Sequence, residues 1–269
     1  AVLLASVLTY VAVGMSMAGA TPGRVSVPEY GGLAMSSAFV ASFAPPGIGH
    51  LGLNLRYLQK RGFAGPVSVS VIASKEAATF ISHMILLLVV GLWAGRSGAL
   101  EEELERLPPA GVMLAIGAGV LVVTGLAVLI PRVRALVRET VVPAVKHSVD
   151  AMGQVARNPV KITVLFTGVT MLSLAYSACL YFSVTAFGSD ASFAAVALIY
   201  LTAGSVAAAA PTPGGLGAVE AILIAALTGI GIASPIAVAG VFLYRFATFW
   251  LPILPGLLAF RWLTARDAI

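Results

Sequence analysis

The stretch PTPGGLG, residues 211–217, divides an apolar region of the chain into two segments, Ala191–Ala209 and Ala218–Ile230. Proline and glycine interrupt helices, so this stretch predicts two half-helices that meet at a tip. Irregular backbone at membrane depth is tolerated only where protein or water surrounds it. We therefore expect a re-entrant hairpin, with the tip inside the membrane and both ends on the same side.

The composition places this hairpin in a membrane protein. Of the 269 residues, 59% are hydrophobic and 10% are charged, whereas a soluble domain carries about 25% charged residues. Such a chain cannot bury its apolar surface by folding in water, and an α-helical membrane protein is the class that remains. The net charge of +5 does not indicate a nucleic-acid partner, because the basic residues cluster at the ends of apolar segments.

Five uninterrupted segments are long enough to cross a bilayer as helices. They are Ala1–Ala20, Val67–Trp93, Val112–Ile130, Ile162–Phe187 and Pro235–Phe260. A second interrupted region, Leu33–Phe43 followed by His50–Arg61, breaks at APPGIG, residues 44–49. We expect an all-α polytopic fold, with about five full spans and two broken-helix hairpins in one transmembrane domain, residues 1–269.

The basic residues predict which side of the membrane each end occupies. Residues 131–161 carry six Lys or Arg side chains between apolar positions, and an excess of such residues marks cytoplasmic loops. We expect this amphipathic segment and the C-terminus to be cytoplasmic, and the acidic run at residues 101–105 to lie outside. This layout leaves Ala1 outside, so we expect an upstream helix to precede it.

An internal repeat relates the two hairpins. The matching positions at an offset of 168 are Pro45, Gly47 and Gly49 with Pro213, Gly215 and Gly217; after a one-residue gap, Gly62, Pro66 and residues 78–80 match Gly231, Pro235 and residues 247–249. Unit one (residues 1–93) and unit two (residues 162–269) are joined by residues 94–161. Three spans separate the two tips, so the units should be inverted, as in transporters that bind substrate at the bilayer midplane.

Two basic residues fall inside predicted spans. Arg245 is about 15 Å and Lys75 about 12 Å deep at 1.5 Å per residue. A cation at this depth is costly and usually functional, and the planar fork of arginine suits a phosphate. Each also has a carboxylate that would neutralise it, Glu220 for Arg245 and Glu76 for Lys75. A substrate contact and a structural ion pair therefore both remain open.

The tips complete the candidate substrate site. A break in a helix leaves free N–H groups that attract anions, and glycines allow a phosphate to approach the backbone closely. We predict these substrate-binding residues: Arg245, Glu220, Gly214, Gly215, Gly217, Thr248, Lys75, Glu76, Pro45, Gly47, Gly49 and His50. The alternative for the polar side chains is hydrogen bonding between helices.

The second tip and the last span also carry a family resemblance. PTPGGLGAVE, residues 211–220, followed by YRFATFW, residues 244–250, resembles the signature of the lysylphosphatidylglycerol synthase transmembrane family, which includes the flippase domain of the bacterial multiple peptide resistance factor. Around Lys75 and Glu76 the family more often has Glu followed by Arg. The resemblance implies an inner-membrane flippase for a polar, anionic phospholipid, an aminoacyl-lipid or a lipid-linked intermediate.

Enzyme motifs are missing from the sequence. It contains no His-Glu-x-x-His, no Gly-x-Ser-x-Gly and no cluster with metal-ligand spacing, so we expect no catalytic residue, metal or cofactor. The rival functions are a membrane-embedded lipid-modifying transferase, or its non-catalytic membrane subunit, and a scaffold or channel subunit. The expected partners are membrane lipids as substrate, a lipid-modifying synthase domain or subunit, and a second copy of the chain, but no nucleic acid.

Overall fold

A computed structural model of the protein describes residues 1–23, 25–43, 48–96, 153, 157–204 and 212–269. Its helices are α1 (Val2–Ala20), α2 (Val27–Ala41), α3 (Ile48–Lys60), α4 (Gly65–Arg96), α5 (Pro159–Thr185), α6 (Phe193–Ile199), α7 (Ala218–Gly229), α8 (Ser234–Arg245) and α9 (Ile253–Ala265). Two π-helical segments (Tyr200–Gly204, Phe246–Trp250) and one 3-10 turn (Pro213–Gly215) complete the elements of these residues. The predicted all-α polytopic fold is confirmed.

Four helical stretches of the described residues are long and apolar enough to cross a membrane. They are Val2–Ala20, Gly65–Trp93, Pro159–Thr185 and Ser234–Ala265, and each overlaps a predicted span. The protein is therefore a membrane protein. The remaining predicted span, Val112–Ile130, and residues 131–152 and 154–156 of the amphipathic segment lie outside the described residues.

The centre of the molecule is the crossing of α1 and α5. Glycines allow the two backbones to touch: a Cβ on Gly19 would lie 2.4 Å from the backbone N of Leu165, and a Cβ on Gly168 would lie 2.5 Å from the backbone N of Ser16. Close packing through small residues is the usual way in which helices associate in lipid, where no hydrophobic force favours their contact. These glycines thus join unit one directly to unit two.

The helix ends near Lys60 and Lys161 form one end of the molecule, which we call the basic end. It contains the ends of α1, α3 and α9 and the beginnings of α2 and α5. The contacts that join them are Lys60 with Asp267 at 2.5 Å, Arg61 with Glu29, and Lys161 with the carbonyl oxygens of Thr21 and Gly23. The hydrogen bond from Lys60 holds the pKa of the exposed Asp267 carboxyl below its usual value.

The other end of the molecule contains the beginnings of α1, α6 and α8 and the ends of α5 and α7. A cavity of about 290 Å³ there is lined by residues 188–191 and residues 230–233. The hairpin of α2 and α3 therefore begins and ends at the basic end, whereas the hairpin of α6 and α7 begins and ends at the opposite end. The two hairpins enter from opposite ends, as the inverted orientation of the repeats requires.

Equivalent backbone hydrogen bonds relate the two units. Gly62 (φ +85°) and Gly231 (φ +90°) end the second half-helix of each hairpin in the left-handed conformation. The same pair of bonds closes both turns: Gly62 N–H to Gln59 O with Phe63 N–H to Leu58 O, and Gly231 N–H to Thr228 O with Ile232 N–H to Leu227 O. Every one of these positions is offset by 169 residues, so the sequence repeat corresponds to a repeated backbone motif.

Each hairpin packs against the long helix of the other unit. Helix α4 lies on α6 and on the π-helical segment that follows it, where His83 Nε2 is 2.8 Å from the carbonyl oxygen of Leu201. Helix α9 lies on α2, where a Cβ on Gly256 would come within 2.5 Å of the carbonyl oxygen of Met35. Movement of either hairpin would therefore be transmitted to the opposite unit.

Candidate substrate site

Arg245 is held at the second tip by three contacts. Its Nε donates a hydrogen bond to Glu220 Oε1 at 2.6 Å, and its Nη2 donates one to the carbonyl oxygen of Gly214 at 2.7 Å. Its guanidinium carbon lies 4.4 Å from the centroid of the Phe249 ring. The side chains of Arg245 and Glu220 are 9% and 13% exposed. The predicted ion pair is therefore present, and it also anchors the backbone of the tip.

Glu220 connects this ion pair to the beginning of α7. Its Oε2 accepts a hydrogen bond from the backbone N–H of Gly217 at 2.7 Å, and it lies in the first turn of the helix. A carboxylate at a helix N-terminus is stabilised by the helix dipole, typically by about 0.3–1 kcal/mol. The sequence predicts that an anionic ligand binds at this N-terminus, and in this conformation the carboxylate of Glu220 takes part of that position.

The three glycines of the tip all have positive φ angles, 62° at Gly214, 67° at Gly215 and 81° at Gly217. A Cβ on Gly214 would lie 2.4 Å from the Phe249 ring, and one on Gly215 would lie 2.6 Å from a methyl group of Val219. No atom lies within 4 Å of a Cβ on Gly217. The positive φ favours glycine at all three positions. Packing is a second reason for glycine at Gly214 and Gly215, whereas Gly217 has open space beside it.

The π-helical segment after Arg245 positions the Phe249 ring. Leu251 N–H bonds to the carbonyl oxygen of Phe246 at 2.8 Å, which is the spacing of a π-turn. Pro252 follows at once, and its ring excludes regular α-helical bonding with the turn before it. The periodicity of the span does not predict this distortion; Pro252, inside an otherwise apolar span, is the signal that indicates it.

Lys75 and Glu76 form the ion pair of unit one, with Lys75 Nζ 2.8 Å from Glu76 Oε1. The side chain of Lys75 is 9% exposed, whereas that of Glu76 is 53% exposed. His50 interacts electrostatically with both, so α3 and α4 bring these three predicted residues together. This pair is less enclosed than the pair of Arg245 and Glu220.

Two threonines occupy equivalent positions in the two units. Thr79 Oγ1 donates to the carbonyl oxygen of Lys75 at 2.8 Å, and Thr248 Oγ1 donates to that of Tyr244 at 2.7 Å. Both bonds return to the preceding helical turn. They satisfy the hydroxyl hydrogens within the helix, which accounts for the threonines without a ligand.

The predicted site residues thus fall into two groups. Arg245, Glu220 and the tip glycines form one group, and Lys75, Glu76 and His50 form the other. Gly49 lies in the first turn of α3. Pro45 and Gly47 lie outside the described residues, as does Pro211. No cluster of three or more His, Cys, Asp or Glu side chains that would hold a metal occurs in the part of the chain that the structure describes.

The fold and these two charged groups define a polytopic α-helical membrane protein with oppositely inserted hairpins. The family model described as the lysylphosphatidylglycerol synthase TM region matches residues 1–256. The chain belongs to this family, as the resemblance at residues 211–220 and 244–250 indicates. The family links it to the modification or translocation of lipids. No curated protein matches the chain.

Proposed function

We propose that the protein is a lipid translocase, which moves a polar, anionic lipid between the leaflets of a bacterial inner membrane. One observation carries this proposal: two hairpins enter from opposite ends, and each is followed by a membrane-spanning stretch that carries an ion-paired cation, Lys75 in Gly65–Trp93 and Arg245 in Ser234–Ala265. Inverted hairpins with broken helices supply substrate sites in secondary transporters. The same arrangement suits a headgroup that must pass through hydrocarbon.

The two ion pairs supply polar groups where a headgroup needs them. A charged headgroup at the bilayer centre is costly unless protein groups replace its water. Arg245 would hold a phosphate through its planar fork, in competition with the carboxylate of Glu220. Lys75 has three N–H donors, and its bond to Glu76 Oε1 uses one of them. Exchange of a carboxylate for a phosphate at these cations is the binding step we propose.

The membrane orientation follows from the charges of the basic end. Lys60, Arg61, Lys161 and Arg266 are brought together there, and an excess of basic residues marks the cytoplasmic side. We therefore assign the basic end to the cytoplasm. The hairpin of unit one would then face the inner leaflet, and the hairpin of unit two the outer leaflet.

Reconstitution into liposomes tests the function directly. The purified chain is incorporated into vesicles that contain fluorescent phospholipids with anionic, zwitterionic or aminoacylated headgroups. A membrane-impermeant reductant then quenches the label in the outer leaflet. We expect protein-dependent access to the inner-leaflet label, greatest for anionic headgroups, and loss of that access in Arg245→Ala.

The variant Arg266→Ala is the matched control, because Arg266 also stacks on an aromatic ring, that of Trp262 at 4.2 Å, but lies beyond the end of α9. It should translocate lipid as the unmodified chain does. Folded protein that moves none of the lipids in the panel would contradict the proposal. Chemical conversion of a lipid in the same vesicles would instead identify the protein as a lipid-modifying enzyme.

A further inference from the structure

Unit one has buried hydroxyl groups that lack hydrogen-bond partners. Among the described residues, five side-chain oxygens are buried without a partner, and they belong to Ser37, Tyr57, Ser70, Ser74 and Thr212. The first four lie in unit one, on α2, α3 and α4, and each of these residues is at most 1% exposed. Polar atoms buried in a membrane protein need a partner, and water is the partner that fits between packed helices.

These four hydroxyls form a series that leads inward from the basic end. At 1.5 Å per residue, Tyr57 lies about 5 Å, Ser70 about 8 Å, Ser74 about 14 Å and Ser37 about 15 Å from the ends of their helices at that face. Helix α3 packs against both α2 and α4, which places the series within one bundle. Lys75 directly follows Ser74, so the series ends at the ion pair of unit one.

Other polar groups lie beside this series. At the basic end, the Tyr57 ring lies 5.0 Å from the Tyr30 ring, but the Tyr30 hydroxyl already has a partner, Thr21 Oγ1 at 3.1 Å, and needs no water. At the inner end, Asn54 Nδ2 donates to the carbonyl oxygen of His50 at 2.7 Å. Polar side chains therefore follow the bundle from the basic end to the depth of His50.

The internal repeat shows that the fold does not require three of these four hydroxyls. At the offset of 169, the positions of Tyr57, Ser70 and Ser74 correspond to Ala226, Ala239 and Leu243. Unit two keeps the same helices and turns with apolar residues at these positions. Tyr57, Ser70 and Ser74 are thus hydroxyls of unit one alone and call for a function of their own, whereas Ser37 corresponds to Ser205 at the offset of 168.

We propose that unit one contains a water-filled path that connects the basic end with Lys75 and Glu76 and carries protons to the Glu76 carboxylate. Hydroxyls suit this role because each both donates and accepts hydrogen bonds. A proton from water neutralises Glu76, and Lys75 then loses its counter-charge and becomes available to a phosphate. This second step rests on the proposed function, whereas the water path itself does not.

Glu76 has few competitors for such a proton. Besides Glu76, α4 and the described helical segments packed against it carry these ionisable side chains: Tyr10, His50, Arg56, Tyr57, Lys60, Lys75, His83, Arg96, Lys161, Tyr176, Cys179, Tyr181 and Tyr200. Tyrosine, lysine, arginine and cysteine ordinarily titrate well above neutral pH. His50 interacts electrostatically with Glu76, and His83 is bonded to the carbonyl oxygen of Leu201 in the π-helical segment that follows α6. Glu76 and, beside it, His50 are therefore the proton acceptors at the inner end of the path.

Cysteine accessibility tests the path without any transport measurement. Ser36 and Ser37 are neighbours at the same depth, and both are buried, but Ser36 Oγ donates to the carbonyl oxygen of Gly32 at 2.9 Å. In a Cys179→Ala background, Ser37→Cys and Ser74→Cys should react with a small charged methanethiosulfonate added at the basic end. The reactive species is the thiolate, and its fraction falls tenfold for each unit by which burial raises the thiol pKa. If a cysteine beside water has a pKa about one unit lower than a dry one, Ser37→Cys and Ser74→Cys should react about tenfold faster than Ser36→Cys.

Equal rates for the three cysteines would overturn the path. Should a cysteine variant fail to fold, radiolytic hydroxyl labelling of the unmodified protein decides, because Tyr30 and Tyr57 are equally buried. Water beside Tyr57 predicts faster oxidation of Tyr57, and equal oxidation of the two rings would contradict it.

Lipid transfer under a pH gradient tests the proton step. A pH gradient with the lower pH on the side of the membrane that the basic end faces should accelerate lipid transfer by the unmodified chain. The double variant Ser70→Ala/Ser74→Ala should lose this acceleration but keep gradient-free transfer, and Ser36→Ala should keep both. A gradient response that survives in the double variant would overturn the proton step. Absence of transfer under all conditions would contradict the proposed function, while cysteine labelling still decides the path.

Discussion

The ion pair of Arg245 and Glu220 makes a prediction that separates structure from substrate binding. In Arg245→Ala, the carboxylate of Glu220 remains buried without its cation, and the carbonyl oxygen of Gly214 loses its donor. In the double variant Arg245→Ala/Glu220→Gln, no buried charge remains, and the glutamine amide oxygen can still accept from Gly217 N–H. We expect the double variant to be more stable than the Arg245→Ala single variant.

The magnitude follows from the contacts that each variant loses. Removal of one partner of a buried ion pair costs about 3–5 kcal/mol, and the lower half of this range applies here because Gly217 N–H and the helix N-terminus still stabilise the Glu220 carboxylate. The double variant loses chiefly the hydrogen bond to Gly214, about 1–3 kcal/mol. The double variant should therefore be about 1–2 kcal/mol more stable than Arg245→Ala.

The assay is a double-mutant cycle on protein in detergent, followed by lipid transfer in liposomes. Thermal unfolding is measured for the unmodified chain, both single variants and the double variant, and Arg266→Ala serves as the control for loss of a surface arginine. If Arg245 contacts the substrate, the double variant regains stability but not lipid transfer. If Arg245 is only a structural partner, both return together.

Two outcomes would refute the reasoning. A double variant no more stable than Arg245→Ala would mean that the Glu220 carboxylate is not buried by the tip. An Arg245→Lys variant as stable and active as the unmodified chain would show that the two directed hydrogen bonds of the guanidinium are not needed, since lysine supplies only a point charge.

Three further predictions concern packing, the second tip and topology. Gly168→Ala should lower the unfolding free energy by about 1–3 kcal/mol, because the new Cβ meets backbone atoms of α1 that cannot move aside; thermal unfolding measures this, and an unchanged midpoint would contradict the close crossing. Gly214→Ala should destabilise the protein more than Gly217→Ala, since both have positive φ but only the former meets the Phe249 ring; equal unfolding midpoints would contradict this. Lys60→Cys and Asp190→Cys should react with impermeant maleimides from opposite sides of the membrane, and labelling from one side would disprove the inverted arrangement.

The main features of the fold were predictable because membranes restrict backbone structure. An apolar run of sufficient length must be helical in lipid, so the helices at Val2–Ala20 and Pro159–Thr185 follow from length and composition alone. The breaks in both hairpins follow from proline and glycine. The π-helical segments at residues 200–204 and 246–250 were not predicted, because such distortions depend on how proline and neighbouring helices redistribute individual hydrogen bonds.

The candidate site was predictable in its residues but not in its contacts. The sequence alone shows that Arg245 and Lys75 lie too deep to be surface charges, and it offers Glu220 and Glu76 as partners. It does not show that Arg245 also binds the Gly214 carbonyl oxygen or that Phe249 stacks on its guanidinium. Nor does it show which serines lack partners: Ser36 and Ser37 are adjacent and alike in sequence, and only the direction of each side chain separates them.

The repeat itself explains why backbone and side chains differ so much in predictability. Turn glycines recur because both units need the same left-handed turn, so Gly62 predicts Gly231. The charged positions do not recur: at the offset of 169 Glu76 corresponds to Arg245, and at the offset of 168 Gly52 corresponds to Glu220. One unit thus has a carboxylate where the other has a guanidinium, on the same helical framework. Symmetry therefore repeats the turn at Gly62 and Gly231 but not the charged side chains, and each unit must be tested with its own variants.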